Sequence, residues 1–316
     1  MIQRTQLGNT EISISPLGIG TWAWGDRVLW GYGMGDYTDE DIHQAYQASR
    51  AAGINFFDTA EIYGMGRSEK LLGEFLKHDD GKVLVATKYL PYPWRLRKAS
   101  ATSALEQSLK RLDLDLIDLY QIHWPMPPRS TRFWIKELGE IQKTGKIRSI
   151  GVSNYNLSQT TSSQNILSEM DLSLASNQMP YNLLDRRIER NGLLKYCQEN
   201  KITLIAYSPL AKGLLTGKYS AEHSPPGIRK VAFNRKTLMK IKPLLALMKE
   251  IGKGNGGKTQ AQVAINWTIC KGALPIPGAK NLRQAKENLG AIGWNLTSAE
   301  VSALDQASDL IRSKES

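Results

Sequence analysis

The sequence has few cysteines and no long apolar run. Only two of its 316 residues are cysteine, Cys197 and Cys270, and both lie in apolar stretches that are typical of helices. This gives no sign of a disulfide framework, so we expect a reducing compartment and a cytoplasmic protein. No apolar run reaches the ~18 residues of a membrane span, and the N-terminus lacks the apolar core of a signal peptide. We therefore expect no membrane association.

Acidic residues are scarce relative to basic ones. The chain has 41 Lys and Arg against 30 Asp and Glu, a formal charge of +11. The basic residues are dispersed, and their densest cluster, residues 94–98 ("WRLRK"), is short. Nucleic acid is therefore not an expected partner. A basic chain of this kind suits an anionic small molecule better.

The chain is built from short apolar runs that alternate with amphipathic helical stretches. Runs rich in Val, Ile, Leu and Tyr are typical of parallel strands covered on both faces. Eight strands with about eight helices predict a single α/β domain over residues 1–316, a (β/α)8 TIM barrel. The predicted strands are residues 17–22, 54–60, 83–88, 115–123, 147–154, 174–178, 203–208 and 273–277.

Residues outside the predicted barrel are assigned to three further segments. Residues 6–14 predict an N-terminal β-hairpin, residues 209–256 a long insertion after strand seven, and residues 297–308 a C-terminal helix. A doubly wound nucleotide-binding fold is the rival architecture. Its G-x-G-x-x-G pattern fails here, because Ala23 stands at the third glycine.

Residues 252–259, "GKGNGGKT", match the phosphate loop of nucleoside triphosphatases letter for letter. A working loop of this kind follows a strand directly. The preceding residues instead show leucines and methionines at helical spacing. We therefore interpret the segment as a glycine-rich connector, with Thr259 as the N-cap of the next helix.

Four polar side chains stand at or just after the ends of predicted strands, where active sites of this fold form. Asp58 and Tyr63 follow strand two, Lys88 ends strand three and His123 ends strand four. Taken singly, each has an ordinary structural explanation. Together, Asp58 can pair with a buried Lys88, and Lys88 should lower the pKa of Tyr63 from near 10. Such a set suits protonation of a carbonyl oxygen while another group delivers hydride.

The motifs "FDTAEIYGMGRSE", "VATKY", "IDLYQIHWP", "IGVSNY", "YSPLAKGLLTGKY" and "PIPGAK", in this order, resemble the aldo-keto reductase family over essentially the whole chain. The resemblance implies a (β/α)8 barrel without a metal that reduces aldehydes and ketones with NAD(P)H, usually NADPH. It also implies that Tyr63 donates the proton and that Lys88 adjusts the pKa of Tyr63. Asp58 would pair with Lys88, and His123 would orient the carbonyl.

The resemblance further implies a set of cofactor-binding residues. Many family members bind the 2′-phosphate with an arginine where Gln284 stands. Here Lys280, Arg283 or Arg229 must serve instead, or the preference for NADPH over NADH is weaker. Gly278 and Lys280, at a helix N-terminus, form a ready anion site, although a simple tight turn is the alternative. The implied nicotinamide-binding residues are Ser153, Asn154, Gln178 and Tyr207, and the implied pyrophosphate contacts are Ser208, Leu210, Lys218 and Arg229. Gly278 and Lys280 would hold the adenosine phosphates, and Glu287 and Asn288 would contact the adenine. The other implied cofactor residues are Thr21, Trp22, Asp58, Pro209 and Gln284.

The loops that follow the predicted strands are unusually aromatic. They predict a pocket for a flat ring, with loop packing as the alternative. In these loops the chain is most similar to plant pyridoxal reductases and related cyanobacterial members of the family. Pyridoxal, or reactive aldehydes and dicarbonyls, are the implied substrates. The candidate substrate-binding residues are Trp22, Trp24, Trp30, Tyr63, His123 and Trp124.

A second functional class stays open at this point. Potassium-channel β subunits share the family's motifs, so a regulatory NADPH-binding module with little turnover is the alternative to a working reductase. The sequence leaves the oligomeric state open, and a monomer is the working expectation.

Overall fold

The protein is described by a computed structural model covering residues 2–28, 30–35, 37–79, 81–220 and 234–312. Eight parallel strands follow one another in chain order around a sheet. A parallel bridge between Gly20 and Gly278 joins the last strand to the first and closes the barrel. The prediction of a (β/α)8 barrel is confirmed. The barrel strands are β3 (Ile19–Gly20), β4 (Phe56–Asp58), β5 (Leu84–Tyr89), β6 (Ile117–Ile122), β7 (Ile147–Ser153), β8 (Leu174–Pro180), β9 (Thr203–Tyr207) and β10 (Leu274–Ile276).

A short antiparallel hairpin precedes the barrel, as predicted. It consists of β1 (Thr5–Gln6) and β2 (Ser13–Ile14), and its apolar side chains pack on the barrel interior from the N-terminal end. Gly8 is required in the turn, because its φ is +58° and an added Cβ would collide with the backbone of Ala175. Since the hairpin covers this end, the opposite end, at the carboxyl ends of the strands, is left for a site.

Helices surround the sheet, and most begin with a side-chain cap. Thr38, Asn156 and Thr259 each form a reciprocal capping box. The helices are α1 (Asp39–Ala51), α2 (Arg67–Leu76), α3 (Ala99–Leu112), α4 (Thr131–Lys143), α5 (Leu157–Ser168), α6 (Arg187–Arg190), α7 (Leu193–Glu199), α8 (Arg235–Gly254), α9 (Gln260–Cys270), α10 (Leu282–Leu289) and α11 (Ser298–Arg312).

The segment that matched a phosphate loop connects two helices. Helix α8 runs to Gly254, two residues beyond the predicted end, and no strand precedes the glycines. Thr259 caps α9, because its hydroxyl accepts a hydrogen bond from the backbone N–H of Gln262 in the first turn. The interpretation as a connector is confirmed. No helix within the described residues is both long and apolar enough to cross a membrane.

Candidate active site

The ends of β4 and β5 place a lysine and an aspartate in the barrel mouth. The Lys88 Nζ lies 2.5 Å from Asp58 Oδ2, and it donates a second hydrogen bond to the Thr59 carbonyl at 2.7 Å. Both side chains are almost completely buried, at 0% and 2% exposure. An isolated buried ammonium would be costly, so this pairing is what keeps Lys88 charged. Burial opposes the ammonium, but Asp58 and Tyr63 together outweigh it, so the pKa of Lys88 is raised.

Tyr63 lies directly above this ion pair. It begins a 3₁₀ turn, Tyr63–Gly66, and its hydroxyl is 3.4 Å from Lys88 Nζ. The ammonium also lies 4.9 Å from the centre of the Tyr63 ring. Lys88 of β5 therefore forms one connected group with Asp58 and Tyr63, which belong to β4 and the turn after it.

The expectation that Lys88 lowers the pKa of Tyr63 is wrong in its net direction. Burial raises the pKa of the Tyr63 hydroxyl above its ordinary value, and the Lys88 ammonium offsets this only in part. Tyr63 is therefore held as the neutral phenol at physiological pH. An acid catalyst must carry its proton before the reaction, so this state suits the predicted role.

His123 follows β6 and completes the group. Its ring centre is 5.7 Å from that of Tyr63, and the two rings are nearly perpendicular. Burial, with the nearby Lys88 ammonium, lowers the pKa of His123 to about 3. The imidazole is therefore neutral over the physiological range. Among the described residues nothing hydrogen-bonds its buried Nδ1.

The second carboxylate oxygen of Asp58 is held by two amides. Gln178 Nε2 donates to Asp58 Oδ1 at 2.8 Å, and Gln121 Nε2 donates to the same oxygen at 3.1 Å. Gln178 was predicted as a cofactor ligand, and it lies at the site. Gln121 was not predicted, although its place two residues before His123 on the same strand was a usable signal.

The predicted nicotinamide-binding residues also lie at this mouth. Asn154 donates from Nδ2 to the His123 carbonyl at 3.1 Å and to Ser153 Oγ at 3.0 Å. The Tyr207 hydroxyl donates to Asn154 Oδ1 at 2.9 Å. The Thr21 hydroxyl, by contrast, faces inward and bonds to the Asp58 carbonyl at 3.0 Å. A flat half-buried tyrosine beside amide and hydroxyl groups fits a planar carboxamide-bearing ring.

The loop after β9 carries the predicted pyrophosphate contacts. Ser208 takes a positive φ of +52°, and its carbonyl accepts from Asn182 Nδ2 at 2.9 Å. Pro209 is buried, Leu210 half-buried and Lys218 exposed. Arg229, also predicted here, lies outside the described residues.

The turn between β10 and α10 carries the predicted phosphate and adenosine contacts. The Lys280 backbone N–H donates to Gln284 Oε1 at 2.9 Å, which ties the two residues together. The Lys280 ammonium lies over the Tyr37 ring, 4.4 Å from its centre, and 3.4 Å from the Trp30 carbonyl. Lys280 thus contacts the loop after β3.

The two remaining adenosine candidates are already engaged. Glu287 Oε1 accepts from the Thr259 hydroxyl, and Asn288 Nδ2 donates to the Gly278 carbonyl at 3.1 Å. An open depression of about 430 Å³ lies on the same helix and is lined by Leu282, Arg283, Lys286 and Glu287. Two cations and one carboxylate around it suit an anionic group, and Lys286 was not predicted.

Of the predicted aromatic pocket residues, Trp22, Trp30 and Trp124 are at least partly exposed, and Trp24 is buried. Trp22 stacks on Tyr63 with ring centres 6.2 Å apart, and the Trp30 ring meets Trp22 edge-on at 5.8 Å. Trp124, after His123, is 47% exposed. Trp24 is 0% exposed and its Nε1 donates to a backbone carbonyl, so the structure does not place it at the predicted pocket.

A second ion pair borders the mouth. Arg95 Nη1 lies 2.5 Å from Glu61 Oε1, and this oxygen also accepts from the Leu90 backbone N–H at 2.8 Å. The pair fixes the loop after β5 against the turn that carries Tyr63. Sequence reasoning missed it, because nothing in the spacing of residues 61 and 95 predicts contact.

Comparisons with known proteins agree with this geometry. A model of the Aldo/keto reductase family matches residues 16–309. The chain is 42% identical to a chloroplastic pyridoxal reductase of Arabidopsis thaliana, over 96% of this chain and 86% of that protein. It is 29% identical to an NADH-specific methylglyoxal reductase of Escherichia coli, over 98% and 99%. The solved glycerol dehydrogenase AKR11B4 of Gluconobacter oxydans is similar with a TM-score of 0.85 and 29% identity, over 96% and 94%.

The closed barrel, the family model and the relatives define a class of barrel oxidoreductases. The chain belongs to the aldo-keto reductase family. It is an NAD(P)H-dependent oxidoreductase that acts on CH–OH or carbonyl groups of small molecules. Among the described residues, no group of three or more His, Cys, Asp or Glu side chains is placed to hold a metal ion.

Proposed function

We propose that the protein reduces aldehydes or ketones to alcohols with NADPH, and that Tyr63 is the general acid. The reduced nicotinamide supplies the hydride when it is bound. The chain supplies the proton from the Tyr63 hydroxyl, and the neutral His123 imidazole orients the carbonyl oxygen toward that hydroxyl. The Lys88 ammonium, which Asp58 fixes, holds this hydroxyl in place and stabilises negative charge that develops on it.

One observation carries the proposal. The Tyr63 hydroxyl lies 3.4 Å from a lysine that is itself fixed by hydrogen bonds to Asp58 and to the Thr59 carbonyl. Because the pKa of the Tyr63 hydroxyl is raised, this hydroxyl is a weak acid before the reaction begins. The adjacent ammonium favours its phenolate once the proton has left, so proton transfer becomes easier at the moment of reaction.

The preference for NADPH rests on the cations near α10. Lys280 lies in the turn before α10, and Arg283 and Lys286 line the depression on that helix. A 2′-phosphate adds about two negative charges near these side chains, and NADH lacks it. One relative, the methylglyoxal reductase, is named as NADH-specific, so the family alone does not decide this preference.

For the substrate, we propose a flat aromatic aldehyde such as pyridoxal. Trp22 stacks on Tyr63 and meets Trp30 edge-on, so the hydroxyl lies beside an aromatic wall. Offset and edge-on ring contacts of this kind favour a planar ring over an aliphatic chain. The name of the Arabidopsis relative supports the same choice. Small dicarbonyls are the competing substrates.

A cytoplasmic location is proposed separately, because both cysteines are free thiols and free thiols are typical of a reducing compartment.

The test combines the Tyr63→Phe variant with a panel of carbonyl substrates. Purified wild-type protein should oxidise NADPH with 4-nitrobenzaldehyde, and pyridoxal should rank above methylglyoxal in kcat/KM. Tyr63→Phe should fold and bind NADPH normally, but its turnover should fall about 10²- to 10⁴-fold.

Retention of near wild-type turnover by Tyr63→Phe would show that another group donates the proton. Absence of turnover with every aldehyde, together with normal NADPH binding, would support the regulatory binding module instead. A higher kcat/KM for methylglyoxal than for pyridoxal would overturn only the substrate proposal.

A further inference from the structure

Gln121 and Gln178 share one acceptor, Asp58 Oδ1. Their Nε2 atoms lie 3.1 Å and 2.8 Å from this oxygen. An ionised carboxylate can only accept hydrogen bonds, so both amides must turn their NH2 groups toward Asp58. All three side chains are buried in the barrel, at 3% exposure or less. Water is therefore not available to satisfy the amides in the opposite orientation.

Gln121 also engages the second N–H of Gln178. The Gln178 Nε2 lies 3.4 Å from Gln121 Oε1, so both of its hydrogens have acceptors. The Gln178 Oε1, in contrast, receives no donor from the described residues. The amide of Gln178 is thus fixed with its nitrogen inward and its oxygen directed away from Asp58.

The strand register gives Gln121 the space for this contact. On β6, Gln121 pairs with Lys88 of β5 on one side and with Gly151 of β7 on the other. A Cβ at position 151 would lie 2.9 Å from Gln121 Cγ and would also meet Ser176 Oγ. Only a glycine at this position leaves room for the Gln121 side chain to cross the barrel.

We infer that Gln121 is a positioning residue that fixes the amide of Gln178, so that Gln178 presents Oε1 to the carboxamide NH2 of the nicotinamide. The inference rests on the proposed function. Gln121 need not contact the cofactor, because it acts through Asp58 and Gln178. The site therefore recognises a hydrogen-bond donor at this point, and it discriminates against a ring that bears a carboxylate.

The experiment compares two dinucleotides on wild-type protein and on Gln121→Leu. The probes are NADP⁺ and nicotinic acid adenine dinucleotide phosphate, in which a carboxylate replaces the carboxamide on the same oxidised ring. Dissociation constants come from quenching of tryptophan fluorescence, without turnover. Wild-type protein should prefer NADP⁺, and Gln121→Leu should reduce that preference about tenfold, because the second N–H of Gln178 then loses its acceptor and Asp58 alone holds the amide. Adenosine 2′,5′-bisphosphate, which has no nicotinamide, should bind both proteins equally.

Gln121→Met is the second variant, and it provides the same measurement if Gln121→Leu does not fold. An unchanged preference between the two dinucleotides in a folded variant would overturn the inference, as would equal binding of both by the wild type. Weakened binding of adenosine 2′,5′-bisphosphate to the same degree would also overturn it, since the effect would then be general. A wild-type protein that binds neither dinucleotide would overturn the proposed function as well.

Discussion

Lys88 and Lys280 illustrate two different ways of holding a cation in the same barrel mouth. Lys88 is fully buried, and its ammonium has a carboxylate, a carbonyl and a phenol around it. Lys280 is half-buried, and its ammonium lies on the Tyr37 ring and near a carbonyl of the loop after β3. Lys88 is held by groups at the strand ends, and we propose that Lys280 exchanges its aromatic contacts for a phosphate of the cofactor. On this proposal the reacting end of the site is rigid and the phosphate end is adaptable.

The largest effect should come from breaking the rigid end. Lys88→Met leaves Asp58 buried without its cation, so we expect a loss of about 3–5 kcal/mol in the free energy of unfolding. Turnover should fall at least about 10²-fold, since Tyr63 loses the adjacent ammonium. Urea denaturation and NADPH oxidation measure the two effects.

The double variant Asp58→Asn/Lys88→Met is the matched control. It removes both charges, so it should recover most of the stability but none of the turnover. Recovery of turnover in the double variant would mean that Lys88 serves stability alone.

In the loop after β3, the buried Trp24 and the half-buried Trp30 should differ in their effects on stability and on substrate binding. Trp24→Ala removes a fully buried ring that packs on Phe57 and Phe75, and it should cost about 3–5 kcal/mol of unfolding free energy. Trp30→Ala removes a half-buried ring, so it should leave stability nearly unchanged and raise the KM for pyridoxal several-fold. Thermal unfolding and initial rates distinguish them. Similar losses of stability in both variants would contradict this division of the loop.

A smaller effect is expected at the adaptable end. Lys280→Met should raise the KM for NADPH about tenfold and change the KM for NADH much less, because only NADPH carries the 2′-phosphate. Unfolding free energy should hardly change. Lys195→Met, on the exposed face of α7, is the control and should alter neither constant. Equal increases for both coenzymes would remove Lys280 from the 2′-phosphate site.

Sequence patterns predicted the rigid end well, because strand ends have fixed neighbours. Once eight apolar runs define a closed parallel barrel, Asp58, Lys88 and His123 must meet at one mouth. Helix α5 was not predicted individually. Its sequence is mostly polar, and Thr160 and Ser163 of its buried face bond to its own backbone. Periodicity of apolar residues cannot detect such a helix.

Other features could not be predicted, since they depend on burial and on side-chain direction. The sequence shows that Lys88 neighbours Tyr63, but not that burial outweighs this charge in setting the pKa of Tyr63. It also cannot distinguish the buried Trp24 from the half-buried Trp30 six residues later. Likewise, the direction of the Lys280 side chain depends on the position of the loop after β3, which carries Trp30 and Tyr37.

The central claim is that Tyr63 stays a protonated acid beside the Lys88–Asp58 pair. Ultraviolet difference titration of wild-type protein against Tyr63→Phe measures the ionisation of this single phenol. Since its pKa is raised, the phenolate signal should be absent at neutral pH and should appear only above about pH 10. A phenolate signal that develops between about pH 7 and 9 would contradict the account, because Lys88 would then dominate over burial.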